Sequence, residues 1–188
     1  MIIKDIGHHT CSSKGGEKFV IREAPFLSEH GFLGKGYYFW QNNLEFAKIW
    51  GHRHYNGKYY VLEFELNVYY DELLDLVGNR TQMMQFKNLI YSIKQKLAEK
   101  FKNTPEKKVA IDEWGIGEII EYLKRKNIFE YKIIKAVDYR VSYRHLGKES
   151  FLRNKKNFIF LNPRIFYCFI EKNNLYFSNK KLIYTSDG

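Results

Sequence analysis

Residues 31–51 read GFLGKGYYFWQNNLEFAKIWG, and this stretch decides the fold. A glycine turn, Gly34-Lys35-Gly36, runs straight into the aromatic run Tyr37-Tyr38-Phe39-Trp40. In an extended chain side chains alternate between faces, so Tyr38 and Trp40 are expected on one side and Tyr37 and Phe39 on the other. Leu44, Ala47, Ile49 and Trp50 then recur at helical spacing, which predicts a turn, a strand and a helix in immediate succession. The small Ala47 lets that helix approach the sheet closely. Glycines at 34 and 36 leave backbone room for a flat ligand against the strand.

Working back to the start of the chain, Ile2 to Thr10 (IIKDIGHHT) reads as a first strand ending in His-x-Thr. His8-x-Thr10, then Gly34-x-Gly36-x-Tyr38-Phe39, then a helix with an inward Ala47, resembles in that order the ADP-ribosyltransferases of the diphtheria-toxin and PARP type, the His-Tyr-Glu class. All these motifs lie before Gly51. The resemblance implies an α+β fold, a single domain spanning 1–188 around a split, mixed or antiparallel sheet, with a helical insertion at about 70–128. It also implies NAD as substrate. His8 and Thr10 would hold a ribose, the main chain of His9 would pair with the nicotinamide amide, and Tyr38 would stack on the nicotinamide ring. Gly36, Ala47 and Trp50 complete the implied cofactor-binding set.

Two residues depart from the family pattern. His9 stands where the family has Gly, which is tolerable if its side chain points away from the cofactor. The family places an acid at the start of the penultimate strand, whereas this chain reads Asn162-Pro163-Arg164-Ile165-Phe166-Tyr167-Cys168. Arg164 and Phe166 both stand as candidates for that position, and Arg164 is carried with His8 and Tyr38 in the candidate catalytic set. Glu149 and Glu171 are the acids that could reach in from loops.

Composition agrees with one folded domain. The chain has 188 residues, 45% of them apolar and 18% aromatic, with only 3 prolines, enough for a sizeable core and unlike a disordered segment. Two cysteines, Cys11 and Cys168, lie far apart in sequence, which argues against a disulfide framework and for a reducing, cytoplasmic compartment. No apolar run approaches the roughly 20 residues that span a bilayer, and lysine and aspartate stand near the start where a signal peptide has its apolar core. The expectation is a cytoplasmic protein with no membrane partner.

The formal charge is +10, and it is uneven: residues 1–94 carry 11 Lys and Arg against 10 acids, residues 95–188 carry 20 against 11. Phosphate contacts supply most non-specific nucleic-acid affinity, so a basic half beside a ligand site points to RNA or DNA as acceptor. The basic stretch from Arg140 to Lys156 holds Arg144, Arg153, Lys155 and Lys156, the candidate substrate contacts.

The remaining chain reads as follows. Cys11 to Glu23 is expected to be a loop with a brief ordered segment, closed by Pro25. Lys58 to Val68 alternates as a strand with one buried face, leaving Glu63 and Glu65 on its solvated face. Tyr70 to Arg80 suggests a short helix stopped at Gly78, and Gln82 to Lys102 a longer one with Phe86, Leu89, Ile90, Ile93 and Leu97 on one stripe. Helical order resumes near Gly117, with Ile116, Ile119, Ile120 and Leu123 facing the core. Strands follow at Tyr131–Val137, Asn157–Leu161 and Ile165–Ile170, with a last one near Leu175–Phe177.

Other chemistries fit less well. The glycine turn lacks the last Gly of a dinucleotide fingerprint and the Gly-Lys-Ser/Thr of a P-loop. His52 and His54 diverge on a helix with no thiol or carboxylate spaced to complete a metal site, so no metal is expected. Cys11 has no third group to make it a nucleophile and is read as a small buried residue. The function expected from the sequence is NAD-dependent mono-ADP-ribosyl transfer to a macromolecule, with nucleic acid favoured, in a protein resembling bacterial toxins or phage-defence effectors that have an antitoxin partner. A protein acceptor, an RNA 2′-phosphotransferase-like reaction and a binding module without turnover are the alternatives.

Overall fold

A computed structural model describes residues 1–104, 113–138 and 163–186. The alternating apolar pattern produces eight strands: β1 (Ile2–Ser12), β2 (Ser28–Gly31), β3 (Gly34–Gln41), β4 (Tyr59–Tyr69), β5 (Leu73–Asp75), β6 (Ile133–Val137), β7 (Ile165–Phe169) and β8 (Phe177–Thr185). Among the described residues four α-helices accompany them: α1 (Gly16–Glu23), α2 (Leu44–His54), α3 (Arg80–Lys100) and α4 (Ile116–Arg125). The strands form one mixed sheet in the order β5-β6-β7-β3-β1-β4-β8, with β2 paired to β3. Among the described residues only β5 and β6 run parallel, and every other pair is antiparallel. This is the α+β architecture expected from the sequence.

The sheet separates two apolar layers, and the period of the strands decides which residue enters which. Phe39 packs with Phe64, Leu66, Tyr167 and Phe169 on one face, where Val20 of α1 joins them. Tyr38 and Trp40 lie on the other, with Phe166, Cys168 and the stripes of α3 and α4. Each fully buried Leu, Ile or Phe in these layers contributes about 1.5–3 kcal/mol.

Helix α2 lies on the second face because Asn43 starts it and Ala47 lets it down onto β1. The Asn43 side chain accepts a hydrogen bond from the Phe46 amide at 2.9 Å, satisfying one of the free N–H groups of the first turn. Ala47 has 0% exposure, and its carbonyl accepts from Thr10 Oγ1 at 3.0 Å, as a close approach requires.

Several boundaries differ from the sequence reading, each for a local reason. The segment expected to be a loop from Cys11 contains helix α1; it is short, opens on Gly15 and Gly16 with positive φ, and buries only Val20, so its periodicity is faint. The helix expected at Tyr70–Arg80 is instead a 3-10 turn, Tyr70–Glu72, followed by β5. Leu73 enters one apolar layer and Leu74 the other, which only a strand between two layers permits. Asp75 Oδ1 then accepts from the amides of Val77 and Gly78, both at 2.8 Å, so Gly78 belongs to a side-chain-held turn. The stretch 70–128 is therefore not wholly a helical insertion, since β5 extends the sheet itself. The last strand is nine residues long, and two irregularities in its pairing with β4 and a positive φ at Asn179 hide its alternation. The strand expected at 157–161 lies outside the described residues.

One feature of the ladder positions the site. β1 pairs with β4 along its whole length, from Ile2↔Tyr69 to Ser12↔Tyr59, but with β3 only at Gly7↔Gln41 and His8↔Trp40. Beyond His8, β3 instead follows β7, from Trp40↔Phe166 to Tyr37↔Phe169. The sheet splits there, and His9, Thr10 and Tyr38 stand at the start of the gap.

Candidate functional site

A cavity of about 410 Å³ opens at this split, a volume that suits a small ligand. Its wall takes His9 and Thr10 from β1, Tyr38 and Trp40 from β3, Trp50, His54 and Tyr55 from α2 and the turn after it, and Phe166 from β7. The segment from Phe26 to Phe32, between α1 and β3, closes the remaining side. Seven of the lining residues are Phe, Tyr or Trp, and they converge from two strands, a helix and the connecting segments. Tyr38 and Trp40 each lie within 6 Å of the Phe166 ring, at 5.9 and 5.6 Å between centroids. Such a wall holds a flat heteroaromatic ring by area and offset stacking.

His9 forms the corner of the split. Its Nε2 accepts a hydrogen bond from the Phe26 amide at 3.0 Å, which leaves the proton on Nδ1, 3.0 Å from the Tyr38 carbonyl oxygen it donates to. The imidazole thus occupies the carbonyl that Thr10 N–H would have taken had β1 and β3 stayed paired. It is fully enclosed, and burial holds its pKa down to about 4, against the smaller opposing effect of the Tyr38 carbonyl. His9 is a neutral strut at working pH.

Main-chain direction can be read from the ladder. Met1 O accepts from Tyr70 N, toward β4, and Ile6 O accepts from Asn42 N, toward β3. Successive residues of a strand turn their main-chain groups to opposite sides, so those of His9 point to β4 and those of Thr10 to the gap. The expectation is that the His9 main chain faces the gap; the register turns it toward β4, and the main chain facing the gap belongs to Thr10.

Tyr38 is held firmly. Its hydroxyl donates to the Gly34 carbonyl at 2.6 Å and accepts from the Leu33 amide at 2.9 Å, and burial raises its pKa. A Cβ at Gly31 would strike its ring. The ring lines the cavity, while the phenol oxygen fixes the turn between β2 and β3.

His8 does not line the cavity. It stands in the last β1–β3 pair, His8↔Trp40, where the ladder is still closed, and the β4 register sets it opposite Glu63. Its Nε2 is 3.5 Å from Glu63 Oε2, and it is 4% exposed. Burial lowers its pKa, with Glu63 acting in the other direction. Glu63, expected on a merely solvated face, is thus half-buried beside an imidazole.

Arg164 is also set apart. It is 8% exposed and its guanidinium lies 4.2 Å from the centre of the Phe46 ring, under the first turn of α2. Of the two candidates for the third position, Phe166 lines the cavity and Arg164 does not. Gly36 is a packing glycine: a Cβ there would meet Cys168 Sγ and come within 2.9 Å of the Phe169 carbonyl, so its absence lets β3 lie against β7. Ala47 likewise serves the contact between α2 and β1. Trp50 lines the cavity. Arg144, Arg153, Lys155 and Lys156 lie outside the described residues.

The sequence reading missed the Phe26–Phe32 wall, His54 and Tyr55. For the first, the signal was no more than Phe26, Leu27 and Phe32 on either side of polar Ser28-Glu29-His30; for the last two, it was their place about one helical turn beyond Trp50.

Both thiols are buried, and burial pushes each up to about 12, so neither is a nucleophile in waiting. Among the described residues no three His, Cys, Asp or Glu are grouped to hold a metal ion, and no helix is long and apolar enough to cross a membrane. Comparison with protein families, with curated proteins and with solved structures finds no match to this chain.

Proposed function

We propose that this chain is an NAD-dependent mono-ADP-ribosyltransferase acting on a macromolecule, with nucleic acid the favoured acceptor. One observation carries the reading: Tyr38, Trp50, Thr10 and His9, four residues singled out by their likeness to that class, converge on one aromatic cavity at the point where the sheet splits. The nicotinamide ring of NAD would lie among Tyr38, Trp50 and Phe166, with its amide toward the main chain of Thr10. Bond cleavage between nicotinamide and ribose passes through an oxocarbenium-like state, as glycoside cleavage does. What the chain would supply is position: rings that hold the leaving group, a Tyr38 ring locked at its oxygen, and a gap whose main chain can pair with an amide. The basic second half of the sequence supports a polyanionic acceptor.

The test is incubation with NAD labelled in its adenylate half, followed by separation of RNA, DNA and protein. Label in a nucleic-acid fraction, lost in Tyr38→Ala and Trp50→Ala, is the expected result. Label in protein alone moves the acceptor to protein, and a 2′-phosphotransferase would instead yield a cyclic phosphate product. A binding module without turnover is favoured by one specific feature, that no described residue lining the cavity carries a carboxylate. Calorimetric NAD binding without nicotinamide release would establish it.

A further inference from the structure

We propose that His54 is the general base of this site, taking the proton of the attacking acceptor as nicotinamide leaves; this rests on the reading of the cavity as a place of ADP-ribosyl transfer. The described lining offers two phenols and three imidazoles as titratable groups. His9 has both ring nitrogens engaged by Phe26 and Tyr38, and the Tyr38 oxygen is occupied as both donor and acceptor. Burial pushes the Tyr55 phenol up, away from proton exchange near neutrality. His30 lies exposed on β2, and no hydrogen bond among the described residues fixes its ring.

His54 is different, because it is both exposed and oriented. It ends α2, and its ring lies parallel to the Trp50 indole, with 4.1 Å between centroids and 15° between planes. Its Nδ1 is 2.8 Å from the Trp50 carbonyl oxygen. A carbonyl can only accept, so Nδ1 carries the hydrogen, and in the neutral ring Nε2 carries the lone pair. A base steadied through one nitrogen and open at the other is the arrangement that general-base catalysis uses. The place on the helix also helps. Positive charge that develops on the imidazole meets the negative end of the α2 dipole, and the Nδ1 bond to Trp50 O persists in the imidazolium.

The step balances without a further reagent. The bond from ribose C1′ to the nicotinamide nitrogen breaks, and its electron pair stays on that nitrogen, releasing neutral nicotinamide. A new bond forms from C1′ to the acceptor's oxygen or nitrogen. The acceptor's proton passes to His54 Nε2 and from there to solvent, which reaches this exposed ring.

Nicotinamide release from NAD, with water as acceptor, tests the proposal without knowledge of the natural substrate. His54→Ala is expected to lower kcat about 100-fold, the lower range for a general base, with KM changed less than about twofold. Imidazole added to the buffer is expected to restore part of the lost rate, and His54→Gln to fold normally and remain slow. Wild-type turnover in His54→Ala overturns the role of His54 while leaving the site's activity standing. A loss that imidazole does not relieve, accompanied by weaker nicotinamide binding and a lower melting temperature, makes His54 a helix-end support and also overturns it. A wild-type chain that binds nicotinamide but never releases it from NAD removes the transfer reaction, and this role with it.

Discussion

His9 Nδ1 and the carbonyl oxygen of Tyr38 stand 3.0 Å apart, just past the point where β1 and β3 leave their shared ladder. A side chain has taken over a main-chain hydrogen bond, and the two strands are free to diverge beyond it. The same imidazole accepts from the Phe26 amide, so it also ties down the start of the wall that closes the cavity. The gap, its depth and one side of its enclosure all depend on a neutral His9.

That dependence predicts a loss of stability in acid. His9 is lowered from 6.5 to about 4 by burial, so the unfolded chain binds the proton at a higher pH than the folded one. The stabilisation is present above pH 6.5, falls as pH drops toward 4, and is lost below that, where both states are protonated. The amount is on the order of 3 kcal/mol. Denaturant midpoints measured from pH 7.5 down to 4 should decline more steeply in the wild type than in His9→Gln. Parallel curves would mean that His9 does not titrate with folding.

Gly36→Ala should destabilise the chain by about 1–3 kcal/mol, the usual penalty for adding a group to a full space. The added methyl meets the Cys168 sulfur and the Phe169 carbonyl, and the second of these is main chain that cannot rotate away. The resemblance makes Gly36 a ligand contact, which predicts lost binding in a stable protein. The geometry predicts the reverse: a lowered melting temperature, with nicotinamide affinity retained by the folded fraction.

What could be read from the sequence follows from how local each cause is. The turn, strand and helix of 31–51 were legible because alternation, glycine and helical spacing all act within a few residues there. Tyr38 and Trp50 lie within that stretch, and both line the cavity. The roles of His8 and His9 were not legible, because they depend on the residue at which β1 parts from β3. Nothing in Ile2–Thr10 records where a strand thirty residues later turns away. The local pattern at β5 favours a helix, because Leu73 and Leu74 are buried on opposite sides by layers that come from distant parts of the chain. The Phe26–Phe32 wall was invisible, since it borders the cavity only after Phe26 meets His9.

The two leucines give a direct test of the strand. Leu73 and Leu74 are 3% and 1% exposed, so replacing either with Ala should cost about 2–5 kcal/mol, and the two losses should be comparable. On an amphipathic helix at Tyr70–Arg80, neighbouring residues point about 100° apart, and one of the pair would tolerate the change. Urea denaturation of the two single variants separates the cases. One large and one negligible loss would restore the helix.

The remaining prediction sets Trp50 against His8. Both were singled out by the same resemblance, but only Trp50 lines the cavity, while His8 sits beside Glu63 where the ladder is closed. An aromatic face adds about 0.5–1.5 kcal/mol beyond its buried area, so Trp50→Ala should weaken nicotinamide binding by up to about tenfold. Nicotinamide titrated against the fluorescence of the remaining tryptophans reads this directly, because Trp40 stands in the same wall. His8→Ala should behave oppositely, with stability reduced by about 0.5–3 kcal/mol, as for other buried polar groups, and nicotinamide affinity unchanged. Should His8→Ala abolish binding in a protein of undiminished stability, the closed part of the ladder would have to open when ligand arrives. The division of labour between the two histidines would then have to be reversed.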